Sequence, residues 1–286
     1  MQTDTTLSDI PMQNLRPQKN TEQDVHAARE YFPRGLLQPP DSFRFSADAL
    51  LLAAWTAAAY GTPAKPLRFL DAGTGCGVVG LALCLLLDTV QGTGFDIDPQ
   101  LADAATHNAA MLGLGNRFSA VQADAQQVRA HADITPESFD LVVTNPPYRR
   151  PDQGRHAATQ QRTRALFETA GPLTAFVAAS AYALRNKGRF FCIYPAERLP
   201  DLLCTLRPAG LEAKSLLPVH SRAEQPARLI LLEARKNANP AITIHPPLVL
   251  YAGSGHRTHL TPEALAFCPF LGCNARGVQC HTQETP

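Results

Sequence analysis

Asn145-Pro146-Pro147-Tyr148 sets an amide oxygen beside a stiffened backbone and an aromatic ring. The Asn145 side chain and the Pro146 carbonyl are two acceptors on adjacent residues. Proline fixes φ and has no N–H, so Pro146 and Pro147 hold the presentation rigid and bring no competing donor. Tyr148 offers a π-face, and stacking a planar base on such a ring is worth about 1–3 kcal/mol. Two fixed acceptors suit a planar amino group whose lone pair is delocalised into a ring or amide. They take its two N–H bonds and turn the lone pair toward an electrophile. This chemistry works by positioning and electrostatics and needs no general base. A second constellation lies upstream. Asp71-Ala72-Gly73-Thr74-Gly75-Cys76-Gly77 is a glycine turn, followed by the acids Asp96 and Asp124. Glycines let a backbone bend tightly and approach a ligand closely.

These residues need a scaffold that brings three acids and one tetrapeptide to a common edge, and the surrounding rhythm supplies one. From Leu67 short apolar runs alternate with helical segments. Strands are predicted over 67–70, 93–96, 117–121, 139–144, 189–194, 214–219 and 228–234. Helices are predicted over 78–87, 99–112, 175–184 and 197–206, with Pro99 in a first turn and Asn186-Lys187-Gly188 as a stop. Such alternation predicts an α/β fold: a doubly wound, mostly parallel, seven-stranded, Rossmann-like sheet. Asp71, Asp96, Asp124 and Asn145 then each fall at a strand's carboxyl end, where open sheets bind ligands. Before this region, Ser46 is positioned to cap a helix through Trp55 that Gly61 and Pro63 end. Residues 1–24 read as a mobile tail, 25–66 as a segment covering the site, and 67–236 as the main domain. Residues 237–262 read as a small β appendage and 263–286 as a tail without assigned elements.

Composition narrows the function classes. The chain has 286 residues, 45% of them hydrophobic and 18% charged, so a sizeable core is available and global disorder is excluded. Lys plus Arg number 26 and Asp plus Glu 25, which excludes a wholesale polycation but not a local basic patch. The run 78–87 is too short to span a bilayer, which takes about 20 residues. The N-terminus lacks a basic and an apolar region of the secretory kind. Seven cysteines without framework spacing fit a reducing, cytoplasmic setting.

Gly75-x-Gly77-x-x-Gly80 satisfies the dinucleotide pattern, which is weak alone. Its glycines open four residues late for NAD, after Asp71-Ala72-Gly73-Thr74. Asp-x-Gly-x-Gly-x-Gly instead resembles the S-adenosylmethionine loop of class I methyltransferases. That resemblance implies S-adenosylmethionine as cofactor, its methionine part over Gly73, Gly75 and Gly77 with Asp71 near the ammonium. It implies Asp96 on the ribose hydroxyls, with Asp98 the competitor in a turn before Pro99, and Asp124 at the adenine. The tetrapeptide resembles the signature shared by adenine-N6, cytosine-N4 and glutamine-N5 methyltransferases, which implies Asn145, Pro146 and Tyr148 as catalytic.

The flanks narrow the resemblance. The segments 43–53, 220–234 and 246–251 resemble bacterial adenine-N6 methyltransferases of the valine-tRNA anticodon loop, over about residues 34–262. This implies tRNA as substrate. Five arginines (149, 150, 155, 162 and 164) against Asp152 follow Tyr148, and guanidinium suits phosphate. Pro147, Arg149, Arg150 and Arg155 are thus candidate substrate contacts. The stretch 149–164 and the tail after Thr258 depart from the family. A release-factor glutamine methyltransferase is the rival with the same chemistry. Such enzymes usually carry a larger helical domain before the glycine loop, and only 66 residues precede Leu67 here. A non-catalytic RNA-binding module of the same fold is the rival of a different class. No metal site is expected, because Cys268, Cys273, Cys280 and His281 lack short ligand spacing. No membrane association is expected, and a monomer is favoured. Cys76 reads as packing and His107 as helix surface. Trp55 and Phe45 read equally as pocket border or core.

Overall fold

The computed structural model describes residues 21–40, 42, 44–61, 65–147 and 173–274. The chain opens with α1 (Glu22–Tyr31), where Thr21 accepts from the Asp24 amide and Asp24 accepts from the Thr21 amide. A reciprocal cap of this kind fixes a helix start, so residues 21–24 are helix and cap rather than tail. Next comes α2 (Ala47–Tyr60), followed by an alternation of strands and helices. These are β1 (Leu67–Ala72), α3 (Val78–Leu86), β2 (Val90–Asp96), α4 (Pro99–Met111), β3 (Phe118–Gln122) and β4 (Phe139–Thr144). The second half holds α5 (Leu173–Ala183), β5 (Leu184–Pro195), α6 (Leu199–Leu206), β6 (Leu211–His220) and β7 (Ala227–Lys236).

The sheet runs β3-β2-β1-β4-β5-β7-β6, with β7 antiparallel to both its neighbours and the other pairs parallel. The order reverses beside β1, between it and β4, which opens a crevice at their carboxyl ends. Apolar side chains alternate across the sheet and feed two cores. Phe69, Leu141, Val143, Phe191 and Leu231 join α2 and α3 on one face. Leu70, Val142, Phe190, Cys192 and Leu232 join α5 and α6 on the other. Strand α/β patterning of this kind is what two-sided burial requires.

Four features depart from the sequence expectations. Ser46 takes the extended N-cap conformation of α2 but makes no side-chain cap hydrogen bond. Asn186-Lys187-Gly188 lies within β5 instead of ending a helix. The register shifts between Phe139 and Leu141, and Lys187 takes φ +62°, so the extra residues are absorbed as a bulge. The seven expected strands are all present, and two short strands of the expected appendage join their sheet. The short β8 (Thr243–Ile244) and β9 (Leu248–Val249) run parallel along the outer edge of β6, and only β10 (Tyr251–Ala252) and β11 (His259–Leu260) form a separate ribbon. Finally, the expected tail contains α7 (Pro262–Phe267), capped by Thr261, and α8 (Phe270–Asn274). Cys268 and Leu271 are buried in the α2 face, and Phe270 meets Phe32 edge-on at 4.9 Å. The two ends of the described chain therefore cover the same core. Among the described residues, no helix is long and apolar enough to cross a membrane.

Candidate active site

The carboxyl ends of β1 and β4 are in register, Ala72 beside Thr144, and the Thr144 hydroxyl donates to the Ala72 carbonyl at 2.8 Å. This bond fixes Asn145 beside the turn that follows Asp71. The turn bends through Gly73, Gly75 and Gly77, all at positive φ. At Gly73 a Cβ would come within 2.9 Å of the Phe176 ring. At Gly75 (φ +55°) a Cβ would meet nothing within 4 Å, so the backbone borders open space there. A ligand can lie directly against such a backbone. The Gly73 and Thr74 amides both donate to the Phe95 carbonyl, which ties the turn to β2.

The acids do different work around it. Asp71 is 1% exposed; its Oδ2 accepts from the Thr74 hydroxyl at 2.8 Å and the Gly80 amide at 3.0 Å. Its Oδ1 is buried and has no hydrogen-bond partner among the described residues. Burial pushes its carboxyl up to about 7 against the pull of those two bonds. Asp96 is half-buried at the end of β2. Its Oδ2 accepts from the Gly75 amide at 2.9 Å and its Oδ1 from the Asp98 amide at 3.0 Å. Burial raises it to about 6. Each oxygen retains acceptor capacity beyond its one backbone bond. Asp98 is occupied as the α4 cap, accepting from the Gln100 amide at 2.9 Å. Asp124 follows β3 and accepts from the Gln126 amide at 2.8 Å. The four strand ends thus lie side by side in the order Asp124, Asp96, Asp71, Asn145.

At the last of these the Asn145 side-chain oxygen is buried and has no hydrogen-bond partner among the described residues. Pro146 is buried and Pro147 half-buried. Tyr148 and Arg149, Arg150, Arg155, Arg162 and Arg164 lie outside the described residues. Phe45 and Trp55 are partly buried against the α2 core, and Trp55 meets His245 edge-on at 5.2 Å. Cys76 is buried, which pushes its thiol up to about 12. His107 is half-buried on α4. Cys280 and His281 lie outside the described residues.

One residue that the sequence reading passed over joins three parts of the site. Asn108 on α4 is fully buried. Its Oδ1 accepts from the Leu37 amide at 2.7 Å, and its Nδ2 donates to the Leu37 carbonyl at 3.0 Å and the Cys76 carbonyl at 2.9 Å. It pins the segment around Leu37 between α1 and α2, the N-terminal strap, to the glycine turn. The available signal was an asparagine within the inward Ala102-Ala105-Ala109 stripe of α4, since a buried amide must find partners.

The residues present fit a ligand with a cationic amine and vicinal hydroxyls. A buried carboxylate oxygen without a partner among the described residues, an open backbone at Gly75 and a half-buried Asp96 lie at the ends of two neighbouring strands.

A family model for RMKL-like methyltransferase domains matches residues 84–220. A tRNA1(Val) (adenine(37)-N6)-methyltransferase of Porphyromonas gingivalis is 30% identical over 75% of this chain and 84% of its own. One of Dickeya chrysanthemi is 28% identical over 70% of this chain and 76% of its own. The crystal structure of a predicted O-methyltransferase from Agrobacterium tumefaciens superimposes with a TM-score of 0.61 at 20% identity, covering 81% of this chain and all of that one. That likeness shows a shared fold. With strand order, glycine turn and relatives in agreement, the chain belongs to the tRNA1(Val) (adenine(37)-N6)-methyltransferase family.

Proposed function

We propose that the protein transfers a methyl group from S-adenosylmethionine to the exocyclic N6 amino group of an adenine in the anticodon loop of a tRNA, in the cytoplasm. The observation that carries this reading is the Asn145 amide oxygen, buried at the lip of β4 beside the glycine turn without a partner among the described residues. An acceptor left in that state costs about 1–3 kcal/mol until a donor reaches it. The names of the relatives supply the substrate.

Bound S-adenosylmethionine supplies a methyl carbon on a positively charged sulfur. Gly73, Gly75 and Gly77 would give the methionine part a tightly bent backbone surface, open at Gly75. The free Oδ1 of Asp71 receives its ammonium, Asp96 accepts from the ribose hydroxyls, and Asp124 borders the adenine. Asn145 Oδ1 and the Pro146 carbonyl each accept one N–H of the target amine. Drawing the two N–H bonds out of the ring plane would localise the lone pair on nitrogen and turn it toward the bound methyl donor. The proton leaves after transfer, so no side chain needs to act as a base beforehand. Pro147 keeps the loop rigid, Tyr148 stacks on the base, and Arg149, Arg150 and Arg155 take phosphates. Bases in RNA loops are already partly unstacked, which lowers the cost of placing one here. Residues 25–66 cover the site, and 67–236 form the methyltransferase domain.

Mass spectrometry of tRNA nucleosides from a deletion strain tests the reading. The expected result is loss of one N6-methyladenosine from one tRNA. Unchanged tRNA together with an unmethylated release-factor glutamine would overturn it.

A further inference from the structure

The β6–β7 turn and the β10–β11 ribbon stand on the same sheet edge as Asn145. Because β6 runs parallel to β4, its end at His220 points to that edge. The chain returns along β6 as β8 and β9, and the Leu250 and Tyr251 amides donate to the carbonyls of His220 and Ser221. The ribbon therefore projects beyond the edge. Between β4 and β9 lie four strand spacings of about 4.8 Å, roughly 19 Å in all.

Three observations give the ribbon a partner. Residues 234–262 contain no Asp or Glu. Within them Tyr251, His256, Arg257 and His259 are all exposed. The ribbon is also held in one shape. Arg222 of the β6–β7 turn donates to the Gly253 carbonyl and, at 3.0 Å, to the Thr258 hydroxyl, and the Arg257 amide closes onto the Ser254 carbonyl. Glu224 and Glu263, the acids of this corner, belong to the turn and to α7. They line a cleft of about 420 Å3 beside Arg222.

We propose that this ribbon is a second contact for the substrate RNA: Arg257 with His256 and His259 on the sugar–phosphate backbone, and Tyr251 against a sugar or base. The inference rests on the substrate reading above and adds where the RNA lies. At roughly 3.4 Å of strand per nucleotide, 19 Å places the ribbon about six nucleotides from the target base. A basic, aromatic and rigid ribbon at that distance, with its neighbouring carboxylates confined to the β6–β7 turn and α7, fits a stacked nucleic-acid strand, whose charges repeat at fixed spacing. A protein glutamine presented on a short loop would not reach it.

The test uses the full chain with transcribed tRNA, comparing wild type with Arg257→Glu, Arg257→Lys and the triple His256→Ala/Arg257→Ala/His259→Ala. The expected result for Arg257→Glu and the triple variant is RNA affinity weakened about threefold to tenfold. The slope of log affinity against log salt should fall by roughly one. Arg257→Lys keeps the affinity near wild type. Cofactor affinity and the rate at saturating RNA stay unchanged, and so does the melting temperature of the Arg257 variants, whose side chain is exposed; the triple variant also loses the His259 ring bond to the Arg257 carbonyl, so Arg257→Glu is the deciding comparison. Wild-type activity on tRNA with unaltered affinity in Arg257→Glu would overturn this inference alone. A wild-type chain inactive on tRNA but active on a protein glutamine would overturn the substrate reading and the ribbon contact with it.

Discussion

Asn145 follows a buried strand and carries an amide oxygen that has no donor among the described residues. A fold keeps such an atom at some expense in stability, which a bound amino group removes. Replacing Asn145 with Ala should therefore lower kcat by roughly 10²–10³, the scale of losing one preorganised polar partner of a transition state. Cofactor affinity should hold, as isothermal titration would read, because Asn145 lies off the glycine turn. At the other side of the crevice, Asp71 at about 7 and Asp96 at about 6 stand above the ordinary carboxyl value of 3.8. Between pH 4 and these values the folded protein holds protons that the unfolded chain has released. Stability from these groups therefore falls as pH rises from about 4 to about 7, and levels off above. A cationic amine at Asp71 favours the ionised form, so cofactor affinity should rise over the same range. Thermal melts and titrations from pH 4.5 to 8 would check both slopes, and Asp71→Asn should flatten them. The types of these residues were legible in the sequence. Their burial was not, because whether Asp71 faces solvent or sits under its own turn depends on Thr74 and Gly80 closing around it.

Among the elements, the alternation of strands and helices was readable because each has an apolar period of its own, and the strand ends at Asp96 and Thr144 fell where expected. Errors arose where a long-range partner overrides local chemistry. Asn186-Lys187-Gly188 has the composition of a helix stop, yet pairing with β4 draws it into β5 as a bulge. Asn108 looks like an ordinary polar residue of α4 until the strap and the glycine turn arrive at either side of it. Its three bonds make the turn and the strap one unit. Asn108→Ala leaves those backbone groups without a partner and should cost about 2 kcal/mol, a fall of roughly 4–8 °C in Tm. Cofactor KM should rise more than kcat falls, since the turn loosens while Asn145 stays in place. Steady-state kinetics alongside melting curves would separate that outcome from a purely global loss.

For the molecule as a whole, both ends of the described chain close over the α2 face. The C-terminal helices are short and rich in small or turn-forming residues, so no period betrays them. They form because Ala264, Cys268 and Leu271 find a surface already made by α2 and the N-terminal strap. Leu271→Ala should accordingly destabilise the protein by roughly 2–3 kcal/mol, within the usual range for a buried leucine, where a tail residue would cost nothing; chemical denaturation measures the difference. The same arrangement leaves one long sheet edge carrying the glycine turn, Asn145 and the β10–β11 ribbon together. Methyl transfer by purified chain to unmodified tRNA with labelled S-adenosylmethionine, read by nucleoside mass spectrometry, tests the central claim most directly. Label is expected in N6-methyladenosine with wild type and should be almost wholly lost with Asn145→Ala at unchanged cofactor affinity. Label on any other atom, or equal labelling by the two proteins, would contradict that claim.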